Sequence, residues 1–395
     1  MLGAVVGLAR RQKGLTVRVT LFSHTYLPAH YRGKLRWLAA QGRVDLTLVA
    51  LPALHLSTGA RLVFEPADEP FAVRFLPLLA CADHNALRLY APRRLAGLLR
   101  ELRPDVVHAE AEPHSLTLAE LALLKPRLGY RLVAFTWENR FLRGKGPLRW
   151  LEALTLRRVD WMIAGNRGAL DVARWRGYAG PTSVIPQVGL DPAHFERAPA
   201  EPATGNTLRI GFAGRLVAEK GVMDLLEAFV PLAGRASLTF IGEGPLRAAL
   251  EQRAAAAGVA AHVRFAGFVP YQDMPRWLKA LDILVLPSRT APRWMEQFGH
   301  VLAEAMLAGA AVIGSDSGAI PEVIGEAGLL FPEGDVEALR QRLTQLMDQP
   351  ALRQELAAAG RRRALERFSD AAIAQATLDV YRAVLVGRPA QERTA

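Results

Sequence analysis

The sequence predicts an α/β protein of two Rossmann-like domains, each a doubly wound parallel sheet, and three observations carry that prediction. The chain has 395 residues, a natural length for two domains. Its second half alternates short apolar runs with amphipathic stretches, as successive βαβ units do around a parallel sheet. Between the halves the composition shifts: residues 196–207, ERAPAEPATGNT, are rich in Pro, Ala and polar residues without periodicity and read as a linker. Domain one is therefore placed at 1–195, the linker at 196–207, domain two at 208–368, and a closing helix with a short tail at 369–395.

The elements follow in order. Val17–Phe22 reads as the first strand; the loop from Ser23 to Lys34 carries His24, Tyr26, His30, Tyr31, Arg32 and Lys34. A helix to about Gln41 and a strand over Val44–Ala50 come next, and residues 51–80, broken by prolines, suggest one strand near Val73–Leu76. A helix is expected over Pro92–Leu102, then a strand ending at Ala109 with an open carboxyl edge that offers His108, Glu110, Glu112 and His114. A helix over Ser115–Leu124 leads to a strand over Leu132–Thr136 and to Trp137-Glu138-Asn139-Arg140. Strands at Asp160–Ala164 and Thr182–Pro186 flank a helix over Arg167–Trp175. In domain two, strands are expected at Leu208–Ala213, Ser237–Ile241, Val263–Ala266, Ile283–Leu286, Ala311–Gly314 and Gly328–Phe331, with helices between them. Helices over Asp335–Met347, Ala351–Phe368 and Ala371–Val386 close the chain.

Composition narrows the function classes. With 51% apolar and 22% charged residues the chain is an ordinary globular one, and no apolar run is long enough to span a bilayer. Cys81 is the single cysteine, which fits a reducing, cytoplasmic setting. The apolar residues 2–9 precede Arg10, Arg11 and Lys13, the reverse of a signal peptide, and read as a frayed start. Residues 1–197 hold 28 basic and 16 acidic side chains, whereas 198–395 hold 21 and 22. This one-sided excess suggests an anionic partner for the first half. Basic residues interleaved with Phe141, Leu142, Leu148 and Trp150 suit the inner face of an anionic membrane, with peripheral attachment. No nucleic-acid motif accompanies the charge, and no nucleic-acid partner is expected.

The chemistry concentrates in residues 296–316, EQFGHVLAEAMLAGAAVIGSD. Glu296 and Glu304 bracket Phe298-Gly299-His300, where a loop becomes a helix, and the helix start offers unpaired N–H groups to an anion. Two acids around an anion site suggest a ligand with both phosphate and hydroxyls, such as a nucleotide sugar. Upstream, Gly211 and Gly214 end a strand and allow close approach of phosphate, and Arg215 and Lys220 can neutralise a diphosphate. There is no Asp-x-Asp pair and no His/Cys cluster of ligand spacing, so neither a metal nor a cofactor is expected. A nicotinamide oxidoreductase would need G-x-G-x-x-G after its first strand, and Gly211-Phe212-Ala213-Gly214 lacks that spacing.

Together these residues resemble the E-x7-E signature of the retaining glycosyltransferases of family 4, which have the GT-B fold of two domains facing across a cleft. The resemblance extends to Gly211–Arg215, Lys220-Gly221, Ser315-Asp316-Ser317-Gly318 and Pro321-Glu322-Val323-Ile324, covering about residues 208–335. It implies transfer of a sugar from a nucleotide-diphosphate sugar to a hydroxyl of a glycan, glycolipid or lipid-linked acceptor. Glu296 would hold the sugar hydroxyls, Glu304 the ribose, and Arg215 and Lys220 the leaving diphosphate. Gly214, Phe298, Gly299 and His300 would line the donor site, and Val269 the base pocket. Glu296, Arg215 and Lys220 are the catalytic candidates. On the acceptor side the sequence departs from the family: Gly33 stands alone where a Gly-Gly pair is usual, Glu138 and Asn139 lie where His-Asp is common, and Ala319 replaces a second glycine. His30, Lys34, His108, Glu138 and Asn139 are the candidates there. The resemblance also implies that the closing helix packs on domain one. The alternative is a nucleotide-sugar-binding protein whose catalytic site has decayed.

Overall fold

The computed structural model describes residues 16–55, 61–81, 88–142, 147–197 and 207–386. The chain forms two compact units: one takes in the residues up to Gly189 together with those from Asp370 on, the other is Leu190–Ser369.

In unit 1 the strands are β1 (Val17–Phe22), β2 (Val44–Ala50), β3 (Ala53–His55), β4 (Arg61–Val63), β5 (Ala72–Phe75), β6 (Leu78–Cys81), β7 (Arg88–Tyr90), β8 (Val106–Ala109), β9 (Arg131–Thr136), β10 (Trp161–Ala164) and β11 (Thr182–Val184). Seven form one sheet in the order β11-β10-β9-β8-β1-β2-β5, and every pair is parallel. From β1 the chain moves out to β2 and β5, then returns to the other side of β1 and moves to β11. The order therefore reverses between β1 and β8, and the carboxyl ends there form the natural ligand position of an open α/β sheet.

Alternation along the strands explains the layers. Val19, Leu21, Val133, Phe135, Trp161 and Ile163 face one core, and Phe22, Val107, Ala109, Leu132, Ala134 and Met162 face another. A sheet apolar on both faces needs helices on both. Helix α1 (Gly33–Ala40) covers the first face through Leu35 and Leu38; α2 (Pro92–Leu102) and α3 (Leu116–Leu128) cover the second. The closing helix, Asp370–Val386, adds Ile373, Leu378, Tyr381 and Val384 to the first core. It lies so close to α1 that a Cβ on Gly33 would stand 1.8 Å from Asp370 Oδ2. Helices α4 (Pro147–Leu156) and α5 (Arg167–Trp175) complete the unit.

Several local expectations differ. Residues 51–80 hold more than one strand: β3 and β4 pair antiparallel, β5 joins the sheet edge, and β6 pairs with β7. Helix α3 continues past Leu124 to Leu128 because Pro126 sits in its last turn, where it removes a single bond, and Gly129 (φ 75°) ends it. The Ser115 side chain caps its start by accepting from Leu118 N–H at 3.2 Å. The expected linker begins with the end of helix α6 (Pro192–Arg197); residues 198–206 lie outside the described residues, as do 1–15.

Unit 2 comprises α6, β12 (Leu208–Ala213), α7 (Val222–Phe229), β13 (Ala236–Ile241), α8 (Arg247–Ala256), β14 (Val263–Gly267), α9 (Met274–Lys279), β15 (Ile283–Leu286), α10 (His300–Ala308), β16 (Ala311–Ser315), α11 (Ile320–Ile324), β17 (Leu329–Phe331), α12 (Val336–Asp348) and α13 (Pro350–Arg367). Its parallel sheet has the order β14-β13-β12-β15-β16-β17, which reverses between β12 and β15. No helix among the described residues is long and apolar enough to cross a membrane.

Candidate active site

The reversal point of unit 2 is where two of its charged candidates, Lys220 and Glu296, meet. Strand β12 runs into Gly214, whose N–H bonds Ile241 O at 2.9 Å, and β15 runs into Pro287-Ser288. A 3₁₀ turn, Ala218–Lys220, ends in Gly221 (φ 63°), where a Cβ would stand 1.9 Å from Pro287 O. Only glycine permits both the left-handed backbone and that approach, which brings Lys220 beside the end of β15. Lys220 Nζ donates to Glu296 Oε2 at 2.5 Å, and Ser288 Oγ donates to the same oxygen at 2.9 Å. The ammonium also lies 4.7 Å from the centre of the Trp294 ring.

Glu296 is fixed from behind. Gly318 (φ 55°) brings its backbone against that of Glu296, where a Cβ would be 2.2 Å from Glu296 O, and Ala319 N–H donates to that carbonyl at 3.0 Å. Trp294 belongs to a small hairpin closed by two backbone bonds to Ala291, of 2.8 and 3.1 Å. Arg289 anchors its base through bonds of 2.5 and 2.7 Å to Asp224. Lys220 and Glu296 keep only 17% and 9% of their side-chain exposure, so their attraction is little screened by solvent. Among the described residues Lys220 has no further acceptor, which leaves ammonium protons for an incoming anion.

The remaining donor-side candidates divide. Gly299 (φ 77°) caps α10, and Gly309 (φ 92°) ends it. His300, at the first position of α10, is exposed, its ring 4.7 Å from that of Phe298. Phe298 is buried against Phe368, ring centres 5.3 Å apart, so its side chain supports the loop. Val269 is buried as well, but Phe268 beside it is 77% exposed. Arg215 does not join the Lys220–Glu296 contact: its guanidinium is 59% exposed and meets Glu219 at 3.6 Å. Ser288, Trp294 and Phe268 are not marked by spacing in the sequence; an aromatic or hydroxyl at a strand end is the only signal they give.

Glu304 is half-buried on α10, has no hydrogen-bond or ion-pair partner among the described residues, and burial pushes its carboxyl up to about 7. A raised carboxyl is a pH-dependent cost. The folded chain keeps its proton longer than the unfolded chain, so stability falls as pH rises from about 4.5 to 7, by at most about 3 kcal/mol. Glu304→Gln should flatten that decline relative to wild type in urea titrations at the two pH values. Equal declines in both proteins would show that the carboxyl is not raised.

Two of the acceptor-side candidates of unit 1, Lys34 and His108, lie in the interior rather than on an open edge. Lys34 is buried and donates to Glu110 Oε1 at 2.8 Å, and the same oxygen accepts from Tyr26 OH at 2.7 Å. Arg32, also buried, is held by the carbonyls of Tyr26 and Leu27, both at 2.7 Å, and by Glu69 at 3.0 Å. Neither is a cation presented to a ligand. His108 is buried rather than lying on an open edge, its Nδ1 2.8 Å from Tyr381 OH. Burial lowers its pKa to about 4 and keeps it neutral. Burial alone would raise Glu110, but the Lys34 charge and the bonds from Lys34 and Gln187 outweigh it and hold the carboxyl below its usual value. Gln187 extends the network: its Nε2 donates to Glu110 Oε2 and its Oε1 accepts from Trp137 Nε1, both at 2.8 Å. Glu138 is half-buried and held by Arg140 Nε at 2.9 Å; Asn139 is buried; His30 is half-buried, its ring edge-on to Tyr31 at 4.3 Å.

A family model described as "Glycosyl transferases group 1" matches residues 195–363. A 2-deoxystreptamine N-acetyl-D-glucosaminyltransferase of Streptomyces fradiae is 31% identical over 62% of this chain; the match spans 63% of that relative, a little under two thirds of its length. The phosphatidyl-myo-inositol mannosyltransferase of Mycobacterium leprae is 31% identical over 85% of this chain and 82% of its own. In fold, the chain matches Anabaena HepE, solved in complex with UDP, with a TM-score of 0.69 at 19% identity, over 93% of this chain and 100% of that one. That likeness makes the fold GT-B. With a relative at 31% identity aligned over four fifths of its length, and the family model matching the segment that carries Lys220 and Glu296, the chain belongs to the group 1 glycosyl transferases.

Proposed function

We propose that this chain is a retaining glycosyltransferase of family 4 that moves a sugar from a nucleotide-diphosphate sugar to an acceptor hydroxyl without a bound metal. The observation that carries the proposal is the Lys220–Glu296–Ser288 contact at the reversal point of the unit 2 sheet, beside the start of α10. Breaking the bond between the anomeric carbon and the diphosphate oxygen leaves positive charge on the sugar and negative charge on the diphosphate. Lys220 meets the negative charge, Arg215 turns in from the surface to share it, and the N–H groups at the start of α10 add to it. Glu296, oriented by Lys220 and Ser288, takes the sugar hydroxyls. Glu304, without a partner among the described residues, takes those of the ribose, and Phe268 and Val269 border the base. The HepE complex with UDP supports a nucleotide ligand for this fold.

The acceptor is a glycan, glycolipid or lipid-linked intermediate, a reading supported by the Mycobacterium leprae relative named for phosphatidyl-myo-inositol. With Lys34 and His108 committed to the interior, Glu138, Asn139 and His30 remain as acceptor-side candidates. An intact Lys220–Glu296 contact disfavours the decayed-site alternative.

A thermal-shift screen with UDP, GDP, ADP and TDP, with and without magnesium, tests the donor site. One diphosphate should raise the melting temperature equally with and without metal, since a ligand bound only by the folded state stabilises it by mass action. A shift that requires magnesium would overturn metal independence, and no shift with any of the four would overturn the donor assignment.

A further inference from the structure

Two groups of opposite character hold the Lys220 ammonium. It donates to Glu296 Oε2 at 2.5 Å, and it lies over the indole of Trp294, 4.7 Å from the ring centre. The two contacts act differently on its charge. Glu296 offsets that charge, and a second acid in place of the ring would leave the group net negative and repel an anion. The ring attracts the cation through its quadrupole and has no charge of its own, so it fixes the ammonium without cancelling its field. It also replaces water on that side, and a cation bordered by apolar surface acts on an anion more strongly than one in water.

Trp294 is presented to Lys220 by a frame bonded to the rest of the site. It is half-buried and closes the hairpin with Ala291. At the base of the hairpin, Arg289 N–H donates at 2.8 Å to the carbonyl of Glu219, the residue before Lys220. The Arg289 guanidinium holds Asp224 in the first turn of α7. Thr290 donates to Glu333 Oε2 from its N–H at 3.0 Å and from its hydroxyl at 2.9 Å, and that hydroxyl lies 2.9 Å from Ser317 Oγ. Ser317 belongs to the loop whose Ala319 N–H holds the Glu296 carbonyl. The turn that carries Lys220, the hairpin that carries Trp294 and the loop behind Glu296 therefore move as one piece, and the distance from ring to ammonium is set by backbone bonds on both sides.

We propose that Trp294 is a positioning residue for the donor diphosphate: its ring holds the Lys220 ammonium in place, fully charged and with protons to spare, so that the cation meets the phosphates without having to reorient. This role rests on the reading of Lys220 as the cation that receives the leaving diphosphate. Trp294 makes no bond to the phosphates in this role and acts through Lys220 alone.

The test combines calorimetry with UDP, GDP, ADP and TDP and the proton spectrum of lysine-labelled full-length protein. Trp294→Leu, which keeps apolar bulk but has no ring, should weaken binding of the preferred diphosphate roughly five- to tenfold, and Trp294→Phe should restore most of it. In a Lys220→Met background the step from Trp294 to Leu should change affinity less than about twofold, since the interaction it removes is already gone. The ε-methylene protons of Lys220, assigned by their loss in Lys220→Arg, should be shifted upfield by the indole in the wild type, moved back in Trp294→Leu and largely kept upfield in Trp294→Phe. The wild-type shift is read without altering Trp294, so it tests the contact even if Trp294→Leu fails to fold. An unshifted wild-type signal would overturn the proposal. So would unchanged diphosphate affinity in Trp294→Leu, or a full loss that persists in the Lys220→Met background, which would mean that the ring acts on the ligand or the fold directly. If none of the four diphosphates binds the wild type while the upfield signal is present, the donor reading of Lys220 fails and the role of Trp294 in diphosphate binding fails with it. If one binds and Trp294→Leu binds it equally, only the role of Trp294 fails.

Discussion

Replacing Lys220 with Ala is expected to cut turnover at least ~100-fold, the size of effect that follows loss of one strong contact to developing charge. Lys220 is the cation that the fold places at the strand reversal, with one partner already in hand: Glu296 Oε2 at 2.5 Å. Removing it withdraws charge from the leaving diphosphate and releases Glu296, which would keep only Ser288 of the two donors on that oxygen. The fold should survive, because Glu296 stays anchored through its backbone to the Gly318–Ala319 loop and the emptied space admits water. Arg215→Ala should produce a loss of similar size. Its contact with Glu219 is long and exposed, and such pairs are worth little, so the guanidinium turns readily onto a diphosphate. Steady-state rates with the donor that the screen identifies, taken beside melting curves, settle the matter. Wild-type turnover in both variants would sink the diphosphate assignment.

Lys34→Ala should produce the largest loss of stability, about 3–5 kcal/mol, the range measured when one member of a buried ion pair is removed. Glu110 would keep Tyr26 and Gln187 but lose its only cationic partner among the described residues. A charge in that position must then either protonate or draw in water, and both open the unit 1 core. Lys34→Met combined with Glu110→Gln should recover much of the loss, because the pair is then replaced rather than broken. The wild-type pair adds stability above the ordinary carboxyl range and loses it on acidification, since Glu110 is held below its usual value. Urea titrations of the single and double variants read both effects. An unaltered midpoint in Lys34→Ala would mean that the side chain is not committed to the interior and would return it to the acceptor candidates.

The two sites differ in how far the sequence revealed them. In unit 2 the strands and their order in the chain follow from alternating apolar runs, and the candidate site residues Lys220 and Glu296 sit on short segments that follow strand ends. Lys220 and Glu296 are therefore visible as members of local patterns, although only the structure shows them in contact. In unit 1, Lys34 and Glu110 lie far apart in the chain, and each alone looks like a surface charge. Nothing local marks an ion pair that forms only when the first turn of α1 meets the residue that follows β8. Arg32 is hidden in the same way, because its neutralisation by Glu69 depends on the segment after β4, the stretch with the weakest periodicity. Trp294 escapes notice for a different reason: the hairpin that aims it at Lys220 is fixed by two backbone bonds and by Arg289 on Asp224, neither of which has a sequence signature.

The discontinuity of unit 1 has a consequence for how the protein is made. Unit 2 is one uninterrupted stretch, Leu190–Ser369, and all its strands are available once that stretch has left the ribosome. Unit 1 is synthesised first but lacks one wall of its core until Ile373, Leu378, Tyr381 and Val384 emerge. Until then the apolar face beneath α1 is uncovered for the whole time that unit 2 takes to be translated. The earlier half of the polypeptide therefore completes its folding last, and during that interval it is the natural client for a chaperone.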